Sequence, residues 1–183
     1  MSGYGGAELA KGFRTVRNNT IQVAQDIPEG KYDFVAAPGT RSVGELLTHI
    51  ALSPALFDDM HRVKRVTTLV DYDFAGLVAR SQAEEKKARS KAEILAMLES
   101  GGEQFASWIE TLTPEFLAET YTDPTGQNPK TRFESLHSAK EHEMHHRAQL
   151  MLIERMLGIT PHLTRQMEER MRARAQAAAQ AAG

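Results

Sequence analysis

With 183 residues, the chain suffices for one domain with a sizeable core and leaves little room for a second. Hydrophobic residues make up 41% and charged residues 25%, ordinary values for a globular protein, and a net charge of -2 argues against retention on nucleic acid by general electrostatics. There is no cysteine, which excludes disulfides, thiolate metal sites and cysteine nucleophiles together, so a transition-metal site must use His, Asp or Glu.

Residues 1–7 are small and polar and read as a flexible N-terminus; they lack the basic and apolar regions of a signal peptide. From Glu8 to Gln25, Leu9, Phe13, Val16, Thr20 and Val23 recur at helical spacing, and Pro28 and Gly30 stop that helix. Ser42-Val43-Gly44-Glu45 has the form of a capping box, in which the Ser hydroxyl and the Glu carboxylate satisfy each other's free amides. It opens a second helix carrying Leu46, Leu47, His49 and Ile50, which Pro54 kinks or divides.

Asp71 to Phe74 reads as a loop, and Ala83 to Arg89 as a charged, solvated stretch. A second box, Ser90 to Glu93, starts a helix reaching Leu112, with Gly101-Gly102 as a weak point where a bend or break is expected. Thr113-Pro114 begins a short turn, and residues 120–130 hold the turn formers of a loop. A third box, Thr131 to Glu134, opens the histidine-bearing helix, which Gly158 ends; a last helix follows Pro161 into an Ala-rich tail. No alternating strand pattern is visible, so the class is all-α with about four principal helices. No apolar run approaches the ~20 residues that span a bilayer, and with no export signal a cytoplasmic location is expected.

Three of the seven histidines lie within Glu141-His142-Glu143-Met144-His145-His146. On a helix turning ~100° per residue, His142 and His146 point the same way one turn apart, whereas His145 lies ~100° round from His146. Two imidazoles make a weak site. His49, on the apolar stripe of its own helix, is the best third ligand, because bundle metal sites are built from side chains on facing helices. Three neutral imidazoles suit Zn or Ni and would leave a position open to water, as in catalytic sites. The bland alternatives are a polar surface stripe or a core pair satisfied by Glu.

His142-Glu143-Met144-His145-His146 is also an H-E-x-x-H sequence, which zincin proteases use with the Glu as general base; the missing strands count against it. His61 and His137 read as solvated or supporting side chains, and His162 as solvated or capping a helix terminus.

Leu46-Leu47-Thr48-His49-Ile50, taken with Lys140 to Leu150 (K-E-H-E-M-H-H-R-A-Q-L), resembles the DinB-like (YfiT-like) superfamily. The resemblance spans about residues 8 to 165 and implies a four-helix bundle domain there, followed by a short extra C-terminal helix in the tail 166–183. It further implies a homodimer and a divalent metal held by His49, His142 and His146. Ala148 departs from the pattern, since many members carry Gly there. The activities implied are thiol S-transfer with a low-molecular-weight thiol cofactor, or hydrolysis of a small-molecule substrate. The alternative is a non-catalytic metal-binding stress-response dimer. Catalytic residues are not fixed by the resemblance; Glu143, beside a ligand, and Arg147, able to orient an acidic group or pair with Glu, are candidates. Neither nucleic acid nor membrane is expected as a partner.

Overall fold

In the computed structural model, which describes residues 3–181, the four principal amphipathic stretches are helices packed side by side. They are α1 (Gly6–Asp26), α2 (Val43–Leu52), α5 (Lys91–Glu110) and α7 (Arg132–Met156). α1 lies against α5 and α7, and α2 lies against the same two from the other side, so the order round the bundle is α1, α5, α2, α7. Two apolar clusters fill it. One joins Val23, Ile27, Leu47, Ile50, Leu98 and Leu150; the other joins Leu9, Phe13, Phe105, Ile109 and Leu136. Truncating one of these buried aliphatic side chains to Ala would cost about 2–5 kcal/mol.

The three capping boxes form as their sequences require: Ser42, Ser90 and Thr131 each accept from the amide three residues on, and the Glu there reaches back. Pro54 divides its helix: α2 ends at Leu52 and α3 (Pro54–Asp58) starts on the proline, followed by one π turn over 59–63. Thr113 caps α6 (Pro114–Ala118), and Gly158 takes a φ of 77° where α7 stops.

The structure departs from the sequence reading in four places. A further helix, α4 (Phe74–Glu85), occupies the segment expected to be loop and solvated charge, capped by the Asp73 side chain on the Gly76 amide. A two-stranded antiparallel ribbon, β1 (Thr120–Tyr121) with β2 (Lys130–Thr131), closes the loop before α7; two residues per strand are too few to show an alternating pattern. Gly101-Gly102 does not break α5. A Cβ on Gly102 would come within 2.8 Å of the Arg17 side chain, so the missing methyl makes room for that arginine. The last helix, α8 (His162–Ala181), is twenty residues rather than short; it leans on α1 through its first turns and is exposed from Gln166 on. Among the described residues, no helix is long and apolar enough to cross a membrane.

Buried charge is confined to a few places. Arg17 and Glu143, 2% and 0% exposed, pair at 3.0 Å on the bundle axis, and Arg17 also donates to the carbonyls of Leu98 and Ile50. Arg132, also buried, donates to Glu119 and the Val66 carbonyl and meets His61, whose other ring nitrogen lies 2.7 Å from the Ser135 hydroxyl. His61 is therefore a buried link between the π turn and α7, not a solvated side chain. His162 is buried too, at 3% exposure, against Asn19.

Glu154 on α7 is fully buried and neither of its carboxylate oxygens has a hydrogen-bond partner. Burial, with the nearby Asp26 charge, pushes its carboxyl from 4.5 up to about 7, against the opposing pull of Arg165 and Arg155. The folded chain thus holds a proton that the unfolded chain has released between those two values. Stability is full below the unfolded value and falls as the pH rises through the folded one. Glu154→Gln is expected to gain about 2 kcal/mol over the wild type in urea unfolding at pH 8, and almost nothing at pH 4.5. An equal effect at both pH values would refute this.

Candidate metal centre

His49 stands on α2 and His142 and His146 one turn apart on α7, and the packing of α2 on α7 brings the three rings together. The His49 Nε2 lies 3.2 Å from the Nε2 of His142 and 3.1 Å from that of His146. One nitrogen from each of the three falls within 4.8 Å of the others, a grouping that could hold a metal ion. Two nitrogens bound to one tetrahedral Zn at 2.0–2.1 Å would be separated by about 3.3–3.4 Å, so the spacing fits.

The outward nitrogens explain why the Nε2 atoms face inward as lone pairs. His49 Nδ1–H donates to Glu85 at 2.7 Å, and His146 Nδ1–H donates to the Gln149 side-chain oxygen at 3.0 Å. Each acceptor fixes the proton on Nδ1 and leaves Nε2 bare, as metal-ligating histidines require. The Nδ1 of His142 is buried without a partner. The lone pairs of His49 and His146 thus face one point, with the His142 Nε2 beside them, and burial opposes protonating His142 and His146. Burial, helped by the other two imidazoles, lowers His142 to about 4; burial lowers His146 as well. A cluster that turns lone pairs to one point, with two of its rings held neutral, is a donor set for a cation.

Glu85 is the site residue the sequence reading missed. It lies in a run of charge, Glu84-Glu85-Lys86-Lys87, where no local signal separates a buried acid from its solvated neighbours. The fold makes it the one buried residue of α4, 6% exposed, held by His49 and by Arg41 at 2.6 Å. Burial alone would raise its carboxyl; hydrogen bonds from Arg41 and His49 outweigh it and hold the carboxyl below the usual range.

Neither catalytic candidate reaches the triad. Glu143 points to the bundle axis and is sealed in the pair with Arg17. It cannot be the solvent-facing base of an H-E-x-x-H protease, and the only ribbon among the described residues is β1–β2, two residues per strand, too short an edge to hold an extended substrate. Arg147 lies half-buried against α1, donating to the Val16 carbonyl. His145 is exposed, its ring beside Gln149 and outside the triad, as its angle on the helix dictates.

The sequence profile of the DinB superfamily matches residues 13–150. The chain belongs to the DinB superfamily. Its fold is similar to that of YfiT from Bacillus subtilis, with a TM-score of 0.66 and 19% identity over 87% of this chain and 91% of that one. YfiT is described as a probable metal-dependent hydrolase with an unusual four-helix bundle topology. A DinB-like protein of Bacillus subtilis, YjoA, matches with a TM-score of 0.62 and 23% identity over 84% of this chain and 93% of that one. No curated protein matches the sequence. These structural likenesses carry the four-helix bundle to this chain.

Proposed function

We propose that His49, His142 and His146 hold one divalent transition-metal ion, Zn or Ni by the chemistry of an all-imidazole donor set, and that the protein is a metal-dependent hydrolase of a small molecule. The observation that carries this reading is the pair of outward hydrogen bonds, His49 to Glu85 and His146 to Gln149, which turn both Nε2 atoms to a common point. Structural metal sites are closed by four protein ligands; three leave a position open, the mark of a catalytic site. A cation there acts as a Lewis acid on whatever oxygen or sulfur fills that position. The hydrolase reading is preferred to thiol S-transfer because YfiT, which shares the fold, is described as a probable hydrolase.

The chain's own residues supply orientation. Glu85 anchors the His49 ring and is itself held by Arg41, so a contact from α4 and one from the loop before α2 fix a ligand on α2. A cleft of about 790 Å³ with a mixed lining reaches His146; Arg41, Lys86 and Gln149 stand in it beside Leu46, Leu152 and Ile153, giving solvent and polar groups a way in.

The test is a turnover panel on zinc- or nickel-loaded protein: esters and amides in one arm, a low-molecular-weight thiol with an electrophile in the other. Metal-dependent release in the first arm, abolished by chelation, is the expected result. Turnover confined to the second arm would replace the hydrolase with the S-transferase. No turnover in either arm, with metal bound, would leave a non-catalytic metal-binding protein.

A further inference from the structure

Adjoining the cleft, a second cavity of about 390 Å³ opens between α2, α3 and α4. Its walls are Leu52, Leu56, Phe57, Phe74, Leu77 and Val78, and His49 and His142 form part of its lining. The volume lies within the ~300–1,000 Å³ of ordinary small-molecule sites, which are mostly apolar with a few fixed polar groups.

The helix that makes the outer wall is hard to explain as packing. Phe74, Leu77, Val78, Ser81 and Glu85 fall on one face of α4 at helical spacing, yet only Glu85 is buried. Leu77 and Val78 are half-buried and Phe74 is 52% exposed. An apolar helical face normally closes on the core; this one stands off and borders a void, while its far end is held to the triad through Glu85. The charges around the cavity are mostly spent. Glu85 is taken by Arg41 and His49, and Glu84 by Lys87 and Arg89. Arg41, Gln82 and Glu85 line both cavities and so divide them.

We infer that the α2–α3–α4 chamber is the specificity site of the protein and takes an aliphatic or aryl group of an amphiphilic substrate. The substrate's reacting centre then lies at the histidines and its polar remainder lies in the cleft beside Lys86 and Gln149. A wholly polar metabolite would leave the chamber walls wet; a wholly apolar one would leave the cleft unused. The inference rests on the reading of the triad as a metal site, and the experiment separates the two.

Alkyl hydroxamates chelate zinc through their head group and carry a chain of any chosen length, so they report the chamber without needing turnover. Calorimetric titration of the zinc-loaded protein with acetohydroxamate through hexanohydroxamate is expected to show affinity rising about fourfold per added methylene, in line with burial of each CH₂. Leu77→Trp or Val78→Trp, which put an indole into the chamber, should flatten that series while leaving zinc content and acetohydroxamate affinity unchanged. Two variants at separate positions on the wall guard against a local folding defect, which circular dichroism would reveal. A wild-type series with no chain-length dependence, zinc being bound, overturns the chamber alone. Failure to retain zinc overturns the metal reading and this inference with it.

Discussion

Alanine at His49, at His142 or at His146 is expected to empty the site: elemental analysis after desalting should fall from about one zinc per chain to near none. Each substitution leaves two imidazoles, and two on one helix or one on each hold a cation poorly. None of the three should cost much folding stability without metal, because the rings are only partly buried and their Nε2 atoms meet no protein group besides one another. Glu85→Gln is the graded companion. An amide can still accept the His49 proton but lacks the charge that Arg41 and the imidazole share, so affinity should drop about 10- to 100-fold, as for removal of groups that orient a ligand. Loss of zinc on His145→Ala, with retention on His146→Ala, would contradict the assignment, since the two rings point in different directions from α7.

Glu143→Gln should be strongly destabilising although it changes only one atom and lies away from the site. It leaves the Arg17 guanidinium buried on the bundle axis with neutral acceptors only, the amide oxygen and the carbonyls of Leu98 and Ile50, and no counter-charge. Breaking a buried pair from one side costs about 3–5 kcal/mol, and for a chain of this size each kcal/mol lowers the melting temperature by about 2–4 °C. A fall of roughly 10 °C in a thermal melt is expected on those scales. Replacing both partners, Arg17→Met with Glu143→Leu, should recover most of it, because no charge is then left alone. If Glu143→Gln melts with the wild type but abolishes turnover, the residue is a catalytic base after all and its burial has been misread.

These two results bear on what the sequence could and could not disclose. His49, His142 and His146 were legible because helical geometry is regular: four residues make a turn, and an apolar stripe points inward. The capping boxes at Ser42, Ser90 and Thr131 were legible for the same reason, being local chemistry between residues three apart. Glu143 was misleading. The same regularity that aligns its neighbours turns it about 100° from His142 and about 60° from His146, into an arginine 126 positions distant, and no local pattern announces a partner so far off. Glu85 and α4 escaped for a related reason. A helix whose apolar side borders a cavity carries a diluted stripe, and a run of alternating charge hides which acid turns inward. Gly101-Gly102 was read as weakness within its own helix; its meaning lies in the Arg17 side chain crossing it.

The order of the helices round the bundle also sets how the chain must be made. α1 and α2 stand diagonally, so neither can shelter the other. As the chain leaves the ribosome, both carry their apolar faces into water until α5 has emerged, and the last side is closed only by α7. Contacts of such long sequence separation slow folding and prolong exposure of sticky surface. A nascent chain halted before residue 91, or a fragment ending there, therefore lacks α5 and α7, the two helices on which both α1 and α2 close their apolar faces, and has only the short α3 and α4 beside α2. It is a target for chaperones or proteases rather than a folded subdomain.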